Sequence, residues 1–447
     1  MSTAAQHAKE SIPFASIAQV FVLALLIASL SEWMGPLPIE LGVGKVVLLP
    51  MIWALLIGLT LGLLAKHMPK ALKLSLYNQH LAAAVLSSAL FLFIAKLGLL
   101  VGGSLPKLAE AGWGLALQEF GNLIGCILLG MPVALMLGIK REAIGATFSI
   151  GREPGLAIIG ERFGMDSPEG RGILAEYITG TLVGAIFISI LAGFVTSLNI
   201  FHPLALAMGA GMGSGSMTAA AVGAIAAQQT PEMAKDVAAF AAASNLIATT
   251  IGTYLTLFIS LPLAVRAYHF MEPILGRNRK AVVTEEKAPA ADAGEPVVHA
   301  PVLNFGMRIL SWLFVGFMVL VGNRIGFGTS MLEALPGVAL IILAVLVGDL
   351  IYVGTKRKLP AVCWISLVAM AMTFPQVPYA AEVAELTGKV SFLALITPLL
   401  SFAGLSLAKD IPAFRRLGWR IVVVSLMANA GVFLAAAAIA QFFVHSI

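Results

Sequence analysis

Apolar runs recur along the whole of this 447-residue chain, separated by short polar stretches, and most approach the ~20 residues that a helix needs to cross hydrocarbon. They predict spans at about 14–30, 46–65, 81–103, 113–138, 143–164, 172–198, 203–227, 237–265, 306–322, 334–353, 361–374, 389–408 and 419–444. The period-two alternation of a β-barrel is absent. The pattern predicts an all-α polytopic membrane protein with about 12–13 transmembrane segments. A tail of residues 1–13 precedes the first run, which reads as a retained span because no small-residue cleavage site follows it. Arg277 to Pro301 is rich in Lys, Glu, Pro and Ala and marks a hydrophilic cytoplasmic linker, 267–305. It divides a first membrane half (14–142) and a central segment with broken helices (143–266) from a second half (306–447).

Composition agrees with the pattern. At 59% hydrophobic and 11% charged residues, no water-soluble core could bury the apolar surface. Cys126 and Cys363 both lie inside apolar runs, which argues for packing and against a disulfide framework or a cysteine metal site. The net charge of +5 does not point to nucleic acid, because the basic residues cluster beside the spans. With the N-terminus inside and thirteen crossings, inner segments hold 19 Lys and Arg and outer loops 6, so the C-terminus is expected outside.

Two internal repeats stand out. Residues 98–113 match 404–419 without a gap at an offset of 306: Gly98-Leu99 answers Gly404-Leu405, Pro106 answers Pro412, and Gly112-Trp113 answers Gly418-Trp419. The threading places the copies on opposite sides, the inverted-repeat plan common among secondary transporters. A weaker repeat at an offset of 63 sets Ser167-Pro168-Glu169 against Thr230-Pro231-Glu232, and Gly160 against Gly223. Ser or Thr before Pro is a helix start, Pro taking the first position, where no donor is needed.

Two constellations carry candidate chemistry. Gly151-Arg152-Glu153-Pro154-Gly155 interrupts the run 143–164, and backbone groups freed there have no partner in lipid. Arg152 is the candidate to fork a substrate carboxylate, and Glu153 to balance charge or take the coupling ion. Equally, both side chains could sit in an ordinary loop and meet water. The second is Gly209-Ala210-Gly211-Met212-Gly213-Ser214-Gly215-Ser216-Met217-Thr218. Its alternate glycines exclude a regular helix, leaving bare amides and the hydroxyls of Ser214, Ser216 and Thr218 to hold an anion or a dehydrated cation. The alternative is close helix packing through small residues. The nucleotide-loop ending Lys-Ser/Thr is missing. Further intramembrane polar groups are Lys96, Glu119, Glu176, Asn245 and Asn429. Glu176, Thr179, Gly180 and Gly184 share one helix face, as do Asn245, Thr249 and Gly252, stripes that also serve helix packing. Asn245 is a candidate substrate contact; Glu176, Thr179 and a Lys96–Glu119 pair are candidates for ion coupling. The seven histidines show no His-Glu-x-x-His spacing, and no enzyme is expected.

From about Leu90 to Leu261 the order of motifs resembles the LrgB and CidB membrane family, whose plant relative is the plastid glycolate and glycerate transporter. The resemblance rests on Leu97-Gly98-Leu99-Leu100-Val101-Gly102-Gly103-Ser104-Leu105-Pro106, a helix broken near Pro154 with Glu161 after it, Thr179-Gly180-Thr181-Leu182-Val183-Gly184, and the Gly-rich segment ending in Thr218-Ala219-Ala220. The last pattern is similar to the sodium/glutamate symporters of the same broad antiporter and anion-transporter superfamily. The resemblance implies crossed broken helices in a mobile core, a dimerising scaffold, elevator-like alternating access and a bacterial inner membrane. The family's Lys-Ser-x-Thr-Thr-Pro is replaced here by Gly151-Arg152-Glu153-Pro154, and its His-Gly-x-Gly-Thr by Gly213-Ser214-Gly215-Ser216-Met217-Thr218. These departures fall where substrate should bind, and they read as an offshoot catalogued only as a domain of unknown function. The expectation is a homodimeric secondary transporter of a small organic anion, a carboxylate or amino-acid derivative, coupled to H+ or Na+ and without a cofactor. The alternatives are a holin-like channel or regulator of cell-wall turnover, and a structural membrane subunit; the lipid bilayer is the expected surrounding in each case.

Overall fold

The computed structural model of the chain describes residues 12–40, 45–64, 74–103, 112–151, 155–156, 158–159, 162–164, 167–250, 252–276, 301, 303–356, 361–410 and 418–444. In chain order the helices are α1 (Phe14–Met34), α2 (Pro50–Leu63), α3 (Leu76–Gly103), α4 (Gly112–Met136), α5 (Glu142–Thr147), α6 (168–197), α7 (Pro203–Ala210), α8 (Gly215–Ala226), α9 (Pro231–Thr250) and α10 (252–275). After the linker come α11 (Phe305–Phe327), α12 (Met331–Gly354), α13 (Ala361–Thr373), α14 (Ala380–Gly388), α15 (Phe392–Leu407) and α16 (Gly418–Val444). One small sheet, Leu37–Glu40 beside Lys45–Leu48, is the strand content of the described residues. Helices α1, α3, α4, α11, α12 and α16 are each long and apolar enough to cross a membrane, and α14 with α15, bent by 60°, form either a broken seventh span or a re-entrant loop. The chain is an all-α polytopic membrane protein.

It forms two compact units that cut across the segments read from sequence. The first gathers 1–37, 48–99 and 296–410; the second gathers 38–47, 100–295 and 411–447.

In the first unit, glycines let helices touch backbone to backbone. A Cβ on Gly404 of α15 would lie 2.5 Å from the Leu55 carbonyl of α2 and 3.0 Å from Gly58, and one on Gly98 of α3 would lie 2.8 Å from the Ser366 carbonyl of α13. The partners correspond as well, Leu55 to Ser366 and Gly58 to Ala369, both 311 apart, so the two contacts are one contact used twice. The long repeat is therefore structural, although Pro106 and Pro412 lie outside the described residues.

In the second unit the same repeat forms a symmetric crossing. Gly125 of α4 and Gly431 of α16, also 306 apart, press their backbones together so tightly that a Cβ on either would overlap the other's carbonyl oxygen. Gly121 abuts Ala436 and Gly130 abuts Ala428, so the numbers run in opposite directions and the helices are antiparallel. The repeat is inverted. The shorter repeat shares the axis: α5 ends at Thr147 and α7 at Ala210, while α6 begins at Pro168 and α9 at Pro231, both 63 apart. Thr147 packs on Gly130 of α4, and Gly209 packs on Ala437 of α16. One pseudo-two-fold thus relates α4, α5 and α6 to α16, α7 and α9.

The expected 12–13 crossings need correction, because two of the thirteen runs are helical hairpins. Gly184 faces Met217, Gly193 faces Ala224, and the Gln228 amide donates to the Gly193 carbonyl at 2.9 Å, so α8 runs parallel to the second half of α6. Were α7 collinear with α8, Pro203 would lie roughly 40 Å from Ser197; six residues reach at most about 20 Å. Hence α7 turns back and α8 returns to the side it left. The run 143–164 does the same: Arg141 pairs with Glu169 at 2.7 Å and Arg171 with Glu142 at 3.0 Å, so both ends of that hairpin lie together. Apolar length alone cannot tell a hairpin from a span.

Helix α4 widens into a π-turn at Cys126–Gly130 and α10 at Thr256–Ser260. Each ends two residues before a proline, Pro132 and Pro262, whose missing N–H and bulky ring push the preceding turn open. Gly125→Ala is expected to cost about 1–3 kcal/mol, since neither backbone can yield at the crossing. Gly112→Ala, with nothing within 4 Å of its Cβ position, should melt like the native chain. Thermal unfolding in detergent measures both, and equal melting of the two variants would contradict the crossing.

Candidate functional site

The second hairpin of the second unit is buried except at its tip. From 204 to 226 every residue is buried apart from Gly213, Ser214, Gly215 and Ser216. From 143 to 150 every residue is buried, and Gly151 is partly accessible. Gly151 and Ser214 are 63 apart, so the two hairpins open at equivalent positions. Ile150 and Met212 pack into one cluster with Cys126 of α4 and Ala428, Val432 and Ala436 of α16, which brings the two breaks to the α4–α16 crossing.

Each break exposes backbone groups that apolar surroundings cannot satisfy, and side chains answer for the carbonyls. At the second break the Asn245 amide donates to the carbonyls of Gly211 at 2.9 Å and Gly213 at 3.0 Å, and lies 3.3 Å from the Thr218 hydroxyl. Ser244 donates to Met208 O at 2.6 Å, and Thr218 donates to Gly213 O at 3.2 Å. At the first break Ser260, in the π-turn of α10, donates to Phe148 O, and Ser149 Oγ accepts from Gly151 N–H at 2.9 Å. The Cys126 thiol, in the π-turn of α4, hydrogen-bonds the Ile150 backbone.

With carbonyls answered, amides and hydroxyls remain. The first N–H groups of α8, at 215–217, have no intrahelical acceptor. Ser167 caps its own helix by accepting from Gly170 N–H at 2.9 Å, whereas Ser214 makes no such cap and lies 3.4 Å from the Ser216 hydroxyl. The tip therefore presents donors at the positive end of a 12-residue helix, an environment suited to an anion.

The other candidates are placed as follows. Arg152, Glu153 and Pro154 lie outside the described residues, as do Gly160, Glu161 and the linker 277–300. Asn245 and Thr218 are brought to the second break, where they hold the loop together. Glu176 and Thr179 are buried on α6, and the Glu176 carboxyl lies over Gly180, where a Cβ would be 3.3 Å from Oε1. Glu119 is buried on α4; its carboxylate accepts from Asn122 at 3.2 Å and faces Gly252 of α10. Lys96 belongs to the other unit, where its ammonium donates to Thr387 O at 2.6 Å beside the bend between α14 and α15. Among the described contacts, then, Lys96 and Glu119 each have a different partner. At the base of the first hairpin, the hydrogen-bonded Glu272 carboxylate raises Lys140 above the ordinary lysine pKa.

Sequence reasoning missed Ser260 and assigned Cys126 to packing alone. The available signal was the proline shortly after each, which opens the helix and turns one extra side chain toward the break.

Asn245→Ala removes the side-chain donor of the buried Gly211 carbonyl and leaves Gly213 O with Thr218 alone, so it should cost about 1–3 kcal/mol and speed amide exchange at 211–218. Exchange monitored by mass spectrometry that stays at the native rate would show that the amide does not hold the tip.

Among known proteins, no curated protein and no solved structure matches this chain. A family of proteins of unknown function, DUF3100, matches residues 29–270. That stretch is more than half of the chain and takes in both hairpins, so the chain belongs to the DUF3100 family.

Proposed function

We propose that the chain is a secondary transporter of a small organic anion, bound where the two hairpin tips open. The observation that carries the reading is selective exposure: in a hairpin otherwise buried from 204 to 226, only 213–216 are accessible, and those residues are amide and hydroxyl donors at a helix N-terminus. A merely structural loop would spend Ser214 on capping. The pseudo-two-fold supplies a second tip at Gly151, with Arg152 and Glu153 next in sequence, so the substrate would meet two opposed half-sites. A carboxylate is the class that suits neutral donors together with one guanidinium.

Coupling to H+ or Na+ is assigned to Glu119, a buried carboxylate on the same crossing helix as Cys126, with Glu176 and Thr179 on α6. The two compact units provide the bodies for elevator-like motion, the hairpin unit moving its tips and the other unit serving as scaffold and dimer surface. The resemblance to the LrgB and CidB family points the same way. Orientation follows from charge: the ion pairs of the first hairpin put Arg171 on the side of Arg141, which turns the ratio of 19 to 6 into 20 to 5 in favour of an inner N-terminus in a bacterial inner membrane.

In proteoliposomes, small carboxylates should show saturable counterflow that depends on an H+ or Na+ gradient. The double variant Ser214→Ala and Ser216→Ala should lower uptake by roughly tenfold or more, each lost hydrogen bond to a charged ligand being worth about 1.5–3 kcal/mol. An ohmic current instead would favour the channel reading, and neither flux nor current would favour a structural subunit.

A further inference from the structure

The first unit carries a second built site, at the end of α1. Glu32 is 4% exposed, and its carboxyl lies between α1, α11 and α15. Room for it comes from two glycines one turn apart on α11: a Cβ on Gly326 would overlap Glu32 Oε2, and one on Gly322 would lie 3.6 Å from Glu32 Cγ. The Thr397 hydroxyl of α15 hydrogen-bonds the carboxylate. Glu32 Oε1 is buried and has no hydrogen-bond partner among the described residues.

Next to that oxygen is a carbonyl without its helical donor. Pro398 follows in α15 and has no N–H to give, so the Ala394 carbonyl loses its helical donor. The point where Gly322 lacks a Cβ lies 3.6 Å from Ala394 O and 3.8 Å from Glu32 Oε1, and apart from α11's own backbone and the adjoining Val321 and Asn323 no described heavy atom is closer to it than 3.6 Å. A carboxylate oxygen and a carbonyl oxygen thus flank one small gap, with no donor between them. The backbone field agrees. Glu32 sits in the last turn of α1 and against the last turn of α11, and both helix ends are negative. An unaccompanied carboxylate is disfavoured there, and a cation is favoured.

We infer that Glu32, Thr397 and the Ala394 carbonyl form a binding site for a monovalent cation, H+ or Na+, in the first unit. The site is separate from the hairpin tips and does not depend on what they carry. No charged side chain of the surrounding helices competes for Glu32. Within α1, α2 and α15 the described residues hold no other titratable group; Arg324 of α11 donates to Gly328 O, and Lys389, before α15, lies 3.8 Å from Glu385.

The test uses the purified full-length protein in detergent, comparing the native chain with Glu32→Gln and with Gly322→Ala, which fills the gap at ordinary van der Waals distance. Thermal stability is measured in NaCl against choline chloride at constant ionic strength, and the infrared carbonyl stretch of protonated carboxyl groups is followed with pH. A saturable rise in melting temperature with Na+, lost in both variants, identifies a sodium site. Failing that, a protonated-carboxyl band that titrates away as pH rises, is absent in Glu32→Gln and has a shifted midpoint in Gly322→Ala identifies a proton site. If Na+ has no effect and no titrating band depends on Glu32, the inference is overturned. Should Glu32→Gln not fold, the comparison with Gly322→Ala decides. None of these readouts involves transport.

Discussion

A peptide group inside hydrocarbon has no water to bond, so every interruption of a helix in this protein must be answered by some other group of the chain. That constraint organises the second unit. Its two broken hairpins meet at a crossing of α4 and α16 where Gly125 and Gly431 leave no space for side chains. Around the crossing, side chains answer freed carbonyls: Asn245 and Thr218 those of Gly211 and Gly213 at one break, Ser260 that of Phe148 at the other. The amides that begin α8 lie in the accessible part of the hairpin. The asymmetry between answered carbonyls and open amides is what gives the site a sign.

The same chemistry appears in the first unit in a different form. The bend between α14 and α15 is closed by Lys96 on the Thr387 carbonyl and by Asn323, which donates to Lys389 O and accepts from Ser391 N–H, both at 2.9 Å. Buried charge is likewise neutralised locally: Arg308 pairs with Asp349, and its guanidinium lies 5.3 Å from the Trp312 ring and 5.7 Å from Phe91. Glu32 differs, because one of its oxygens faces an open carbonyl rather than a donor. Within one unit, then, some buried polar groups close the structure, whereas Glu32 keeps a carboxylate oxygen without a donor among the described residues.

Much of this was legible in the sequence, for identifiable reasons. The 306-residue repeat showed because Gly98 and Gly404 are fixed by backbone contact, and no other residue fits. The 63-residue repeat showed because Ser-Pro-Glu and Thr-Pro-Glu mark equivalent helix starts. The break at 209–218 showed because alternate glycines cannot hold a helix. What stayed hidden depended on direction and on distance along the chain. A hairpin and a span have the same apolar length, so the hairpins required the contacts of Gly184, Gly193 and Arg171. Asn245 could be read as a ligand or as a loop clamp, and only its two carbonyl partners decide that it clamps. Glu32 fell just past the apolar run expected to end at Leu30, although α1 continues to Met34 and buries it.

The central claim, that the second hairpin opens to ligand only at its tip, is tested most directly by cysteine accessibility. On a background with Cys126 and Cys363 replaced, single cysteines at Ala210, Ser214, Ser216 and Ala220 would be exposed to a small, membrane-impermeant anionic thiol reagent. The account predicts modification at Ser214 and Ser216 and none at Ala210 or Ala220. Equal labelling along the hairpin, or protection at all four positions, would contradict it.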